Sequence, residues 1–166
     1  MKVKIMSFIS CVQFSIFSVY NSYDKYALIS IQDANYDSGV KFKKTQNCKD
    51  VITLKFDDVI PIDLGRSMYQ WKLMSEFQAL SVINFIEKNK NVDYFVVHCM
   101  AGICRSSAVA KFILEYFGED SSWIETATFD DTNEVKQFRY FPNDFVLYQL
   151  RDTHQKMEKR KERDLN

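Results

Sequence analysis

The segment that most restricts the fold is 94–117. Four apolar residues, Tyr94 to Val97, run straight into His98 and Cys99, and His98 to Ser107 reads HCMAGICRSS. The apolar run suits a buried strand. Arg105 to Phe117 reads as a helix, with Gly118 where a helix commonly stops. A strand, a short loop and a helix in immediate succession form the repeating unit of a parallel α/β sheet. In open sheets of that kind, ligands bind beyond the C-terminal ends of the strands, where loops and helix N-termini face one crevice. Successive backbone N–H groups and the helix dipole favour an anion there, phosphate above all.

The rest of the chain fits around that unit. Val3 to Ile9 alternates weakly and opens as a strand, so Met1 to Tyr20 reads as a first strand followed by a buried helix. Two early lysines give this stretch some likeness to a signal peptide. Ser7, Ser10, Gln13, Ser15 and Ser18 break the apolar run, which is also too broken for a membrane span. Ala27 to Ile31 (ALISI) and Val51 to Phe56 (VITLKF) are strand candidates, and Asp33 to Asn47 is a polar loop. A helix is predicted over Ser67 to Lys88, with Met68, Trp71, Met74, Phe77, Leu80, Ile83 and Ile86 recurring every third residue as its core face. A further long helix is predicted to start near Pro142. The expectation is one α/β domain over 1–166. It has a central, largely parallel sheet flanked by helices, a phosphate-binding loop between a strand and a helix, and a charged tail at 156–166 open to fraying.

Charge and cysteine content exclude some function classes. The 22 basic and 22 acidic residues cancel, which argues against a nucleic-acid partner, since that requires a basic surface. Four cysteines in 166 residues suit free thiols in a reducing compartment better than a disulfide framework. The expectation is a cytoplasmic protein with no membrane partner.

Within HCMAGICRSS each residue has a chemical reading. Cys99 sits at the floor of the loop, where the field that holds a phosphate also stabilises a thiolate. Gly102 permits positive φ and close backbone approach. Met100, Ala101, Gly102, Ile103 and Cys104 supply the loop, and Arg105 closes it with a planar fork that binds two phosphate oxygens. Ser106 can donate a hydrogen bond to the Cys99 sulfur, and His98 orients the loop. A lone cysteine would read as a small core residue. The whole constellation reads as a nucleophile in an anion site.

These residues resemble the cysteine-dependent protein tyrosine phosphatase superfamily, whose signature is His-Cys, five residues, Arg, then Ser or Thr. The run VHCMAGICRSSAVA resembles compact bacterial and phage-type members of the dual-specificity group. The resemblance extends with gaps from Asp57 to Gly118, and more weakly to ALISI and Pro142-Asn143. It implies hydrolysis through a phosphocysteine intermediate, a phosphorylated protein or peptide as substrate, and no metal or cofactor. It also implies an upstream acid. LKFDDVIP resembles the Phe-Asp-Asp loop of the phosphatases of regenerating liver, whose second Asp is the acid. That implies Asp58, with Asp57 as the alternative and Asp63 third. Cys104 resembles the second loop cysteine of the low-molecular-weight tyrosine phosphatases, although their signature lies near the N-terminus and their acid downstream. Two readings of it stand: a small buried residue, or a thiol that traps oxidised Cys99 as a disulfide.

Other functions fit less well. A rhodanese-like sulfurtransferase has four residues between Cys and Arg, where this chain has five. A catalytically weak phospho-binding module lacks the Cys, the Arg or the acid. Phosphoinositide phosphatases often carry loop lysines, and MAGIC has none. Phosphoserine and phosphothreonine stay open beside phosphotyrosine. Arg66, Arg139, Tyr140 and Asn143 could shape the site, but each reads first as structural or merely exposed.

Overall fold

The computed structural model describes residues 1–21, 24–61, 70–124, 127–129, 135–138 and 140–164. Its main sheet has four strands, β1 (Lys2–Ser7), β2 (Tyr26–Gln32), β3 (Cys48–Lys55) and β4 (Tyr94–Cys99), in the order β1-β4-β2-β3. All three pairings are parallel. The two central strands, β2 and β4, are buried at every residue, as expected of strands covered on both faces.

Strand alternation sorts their side chains between two cores. Ala27, Ile29 and Ile31 of β2 and Phe95, Val97 and Cys99 of β4 face a cluster shared with α2 (Glu76–Lys88), α3 (Arg105–Tyr116) and α4 (Asp144–Asp164). Tyr26, Leu28, Tyr94 and Val96 turn to the opposite face, against Cys11 of α1 (Phe8–Asn21). A separate antiparallel pair, β5 (Ala127–Phe129) and β6 (Val135–Phe138), was not foreseen in the sequence. Among the described residues, no helix is long and apolar enough to cross a membrane.

Two expectations need correction. The first helix exists, but Ile9, Ile16 and Phe17 lie exposed on its outer face, so it is not a buried helix. The helix expected from Ser67 begins instead at Glu76, where Ser75 and Gln78 form a reciprocal capping box. Upstream of it, Asp57 pins Lys72 at both backbone groups. Its N–H donates to the Lys72 carbonyl at 2.7 Å and its Oδ2 accepts the Lys72 N–H at 2.8 Å, which takes this stretch out of the helical ladder. The threefold stripe therefore splits. Met74, Ile83 and Ile86 are buried, whereas Trp71 is 38% and Phe77 76% exposed, and Met68 lies outside the described residues. In α4, Pro142 precedes the cap. Asn143 Oδ1 accepts the Val146 N–H and caps the helix.

Ile29 stands at the centre of β2 and is fully buried. Ile29→Ala is expected to cost roughly 2–5 kcal/mol of stability, measured by urea unfolding.

Candidate active site

β4 ends at Cys99, and α3 begins at Arg105. The five residues between them turn over the junction of β1 and α1. Ser7 is the register partner of Cys99, and the Phe8 N–H donates to the Met100 carbonyl at 3.1 Å. Gly102 has φ +75°, and a Cβ there would lie 2.6 Å from the Met6 carbonyl carbon and from the Ser7 nitrogen. Only glycine fits both the dihedral and the space. The far side of the loop is held by the segment that leads into α4 and by α3. The N–H groups of Phe141 and Asn143 each donate at 3.2 Å, to the Ile103 and Cys104 carbonyls respectively. The Ser107 hydroxyl donates to the same two carbonyls.

Two groups converge on the buried sulfur. The Gly102 N–H donates to Cys99 Sγ at 3.2 Å, and Ser106 Oγ lies 3.2 Å from the same atom. The N-terminus of α3 adds positive potential at that point.

The Arg105 side chain is 4% exposed and binds the ends of two strands. Its Nη1 donates to the Phe56 carbonyl at 2.7 Å, and its Nη2 pairs with Asp33 Oδ1 at 2.6 Å. Its Nε is buried without a hydrogen bond among the described residues, with Asp58 Oδ2 at 3.8 Å.

The two adjacent carboxylates differ sharply in setting. Asp57 is buried, and each of its oxygens accepts a backbone N–H, from Ala34 at 2.9 Å and from Lys72 at 2.8 Å. The Asp58 side chain is one-third exposed. Its Oδ1 accepts from Asn143 Nδ2 at 2.8 Å, and its Oδ2 faces Arg105. Asn143 thus ties α4, the loop and the acidic pair together. Beside Arg105 and Asp58 opens a cleft of about 650 Å³, with Asp33, Tyr36, Val59 and Trp71 in its walls.

His98 lies on the α1 side of the sheet, away from the Cys99 sulfur. Its Nε2 is 2.8 Å from Ser30 Oγ, its Nδ1 is 3.4 Å from the Cys99 carbonyl, and Phe8 and Phe42 flank the ring. Burial, opposed by the Cys99 carbonyl and reinforced by Arg105, lowers its pKa to about 4, so the ring is neutral at pH 7. Cys104 is half-buried. Burial first, then the Asp58 carboxylate, pushes its thiol up to about 11, so it keeps its proton at neutral pH.

Cys99, Arg105, Ser106, Asp58 and residues 100–104 are brought together, whereas His98 and Asp57 stand behind them. Asp63, Arg66 and Arg139 lie outside the described residues. The sequence reading did not single out Asp33 or Ser30. Both lie on or just after β2, whose C-terminal end faces the loop, and that position in a parallel sheet was the available signal.

No family model matches the sequence, and no curated protein matches it. Among solved structures, PTPMT1 in complex with PI(5)P has a similar fold, with a TM-score of 0.52 at 10% identity over 96% of this chain and 94% of that one. The human tyrosine phosphatase-like serine/threonine/tyrosine-interacting protein matches at TM-score 0.40 and 19% identity, over 79% of this chain and 77% of its own. Tk-PTP in its active form matches at TM-score 0.41 and 12% identity, over 91% and 77%. The first of these likenesses establishes a shared fold.

Gly102→Ala is expected to displace the loop, destabilise the protein by about 1–3 kcal/mol and abolish binding of inorganic phosphate, measured by thermal unfolding and calorimetry. His98 gives a pH signature. Its folded pKa lies below the unfolded value, so its contribution is complete above pH 6.5 and is lost as the pH falls towards about 4. That loss is on the order of 3 kcal/mol. Urea unfolding between those pH values is expected to fall less steeply for His98→Asn than for the wild type.

Proposed function

We propose that this chain is a cysteine-dependent protein phosphatase that hydrolyses phosphotyrosine through a phosphocysteine intermediate. The observation that carries the reading is the convergence on one sulfur. Cys99 Sγ takes hydrogen-bond contacts of 3.2 Å from both the Gly102 N–H and Ser106 Oγ at the head of α3, beside the Arg105 Nε, which has no hydrogen bond among the described residues. PTPMT1, similar in fold, is in complex with PI(5)P, which supports a phosphorylated ligand. The four cysteines are free, which supports a reducing compartment such as the cytoplasm.

In the first step the Cys99 thiolate attacks phosphorus. The ester P–O bond breaks, and Asp58 gives its proton to the leaving oxygen. In the second step the Asp58 carboxylate takes a proton from water, the water oxygen attacks phosphorus, and the P–S bond breaks to restore the thiolate. The Ser106 hydroxyl donates to the departing sulfur. Arg105 Nε and the amides of residues 100–104 balance the charge on the transferring oxygens. Asp58 takes the acid role because it faces the cleft, whereas both oxygens of Asp57 are occupied by backbone donors. His98 holds the strand end through Ser30, on the face of the sheet away from the Cys99 sulfur, and takes no part in the proton transfers.

Hydrolysis of p-nitrophenyl phosphate in EDTA and reductant tests this reading. Activity is expected in the wild type and only background in Cys99→Ser. Asp58→Asn is expected to lose about a hundredfold or more in kcat. Wild-type activity that EDTA removes, or activity that survives in Cys99→Ser, overturns it.

A further inference from the structure

Helix α1 presents apolar side chains outward as well as inward. Cys11 and Ser18 are buried against the sheet, while Ile9, Ser10, Gln13, Ile16 and Phe17 are exposed on the opposite side. Ile9 is 70%, Ile16 56% and Phe17 63% exposed. Their spacing puts them on one outer stripe. The helix FISCVQFSIFSVYN contains no charged residue. A helix that meets only water carries polar and charged residues on its outer face, so an apolar ridge there marks an interaction surface.

Lysines flank this ridge on both sides. On one side lies β1, an edge strand of the sheet. Its Lys2 and Lys4 are exposed and share a face. The Lys4 ammonium lies 5.3 Å from the ring centroid of Phe14 in α1 and 4.0 Å from that of Tyr94, so this face is the one that α1 covers. On the other side runs the crossover from β2 to β3. Phe42 anchors it, its ring centroid 6.4 Å from that of Phe8 and 5.1 Å from that of His98. Lys41 and Lys43, on either side of Phe42, are exposed. The charge of the whole chain cancels, yet its first fifty residues hold seven Lys and four Asp. Two of those four are already engaged, Asp33 by Arg105 and Asp50 by Lys44 and Lys88.

A convex apolar ridge between two rows of ammonium groups fits the boundary of an anionic bilayer. The apolar side chains enter the headgroup region and the lysines meet lipid phosphates. A second copy docked across a two-fold axis would instead set one lysine row against the other. We infer that α1, with Lys2, Lys4, Lys41 and Lys43, is a peripheral membrane-binding surface for anionic lipid. The expectation of no membrane partner came from the lack of a spanning run, and a surface that lies on the bilayer needs none. The inference uses no residue of the phosphatase site and stands apart from that reading.

Co-sedimentation of the whole protein with vesicles of equimolar phosphatidylglycerol and phosphatidylcholine tests it, against vesicles of phosphatidylcholine alone. Binding to the anionic vesicles is expected to be about tenfold or more tighter. It is expected to weaken sharply in about 1 M salt, where the Debye length is about 3 Å. The double variants Ile16→Ser/Phe17→Ser and Lys41→Glu/Lys43→Glu are each expected to weaken it about tenfold or more, with the thermal unfolding midpoint unchanged. Cys99→Ser is expected to bind as the wild type does, whatever the outcome for catalysis. No sedimentation with the anionic vesicles, equal binding to both kinds, or undiminished binding in either double variant overturns the inference. A dimer at sedimentation equilibrium that Ile16→Ser/Phe17→Ser dissociates, without vesicle binding, assigns the face to a second copy and overturns it too.

Discussion

Arg105 is the residue on which the arrangement of the site depends. Its guanidinium is buried, and a buried charge is tolerated only when paired and hydrogen-bonded. Asp33 supplies the countercharge from the turn after β2, and the Phe56 carbonyl supplies an acceptor from the end of β3. One side chain at the head of α3 thereby draws two strand ends towards the loop that follows β4. The acidic pair at 57–58 follows Phe56 directly, so its position over the loop is set by the same contact. The nitrogen without a hydrogen bond among the described residues, Nε, is the one that a phosphate oxygen would satisfy in the proposed reaction.

The period of a strand explains the division of labour at the end of β4. Adjacent residues of a strand point to opposite faces. Cys99 therefore enters the core shared with α2, α3 and α4, and His98 enters the space between α1 and the sheet. The neutral imidazole there joins β4 to β2 through Ser30 and lies against two phenylalanines. This fits a residue that fixes the height of Cys99 from behind.

What was legible in the sequence follows from the range of the forces involved. The strand, loop and helix around Cys99 were legible because apolar runs, a mid-loop glycine and a helix stop are local signals, and they agree there. The start of α2 was misread because its stripe of every-third apolar residues continued upstream of the Ser75 capping box. What takes 70–74 out of the helix is a tertiary bond from Asp57, invisible to periodicity. Asp33 escaped notice for the same reason, since nothing in its neighbourhood announces that an arginine far along the chain needs a countercharge. Asn143 could be placed near a helix start, but not on Asp58, which lies 85 residues away.

The pair Asp57-Asp58 carries the same point into chemistry. Two identical side chains stand next to each other in sequence, and the resemblance ranked Asp58 above Asp57 as the acid without a contact to support the order. Asp57 is buried at the wall of the cleft and meets two backbone donors, so each of its oxygens already accepts a hydrogen bond. Asp58 faces outward, where Asn143 fixes one oxygen and leaves the other towards Arg105 and solvent. Asp58 thus has one oxygen held by Asn143 and the other near Arg105, the setting that the proposed acid role requires. The neighbouring aspartate then performs the complementary task. Through the Ala34 and Lys72 N–H groups it joins the turn after β2 to the segment before α2.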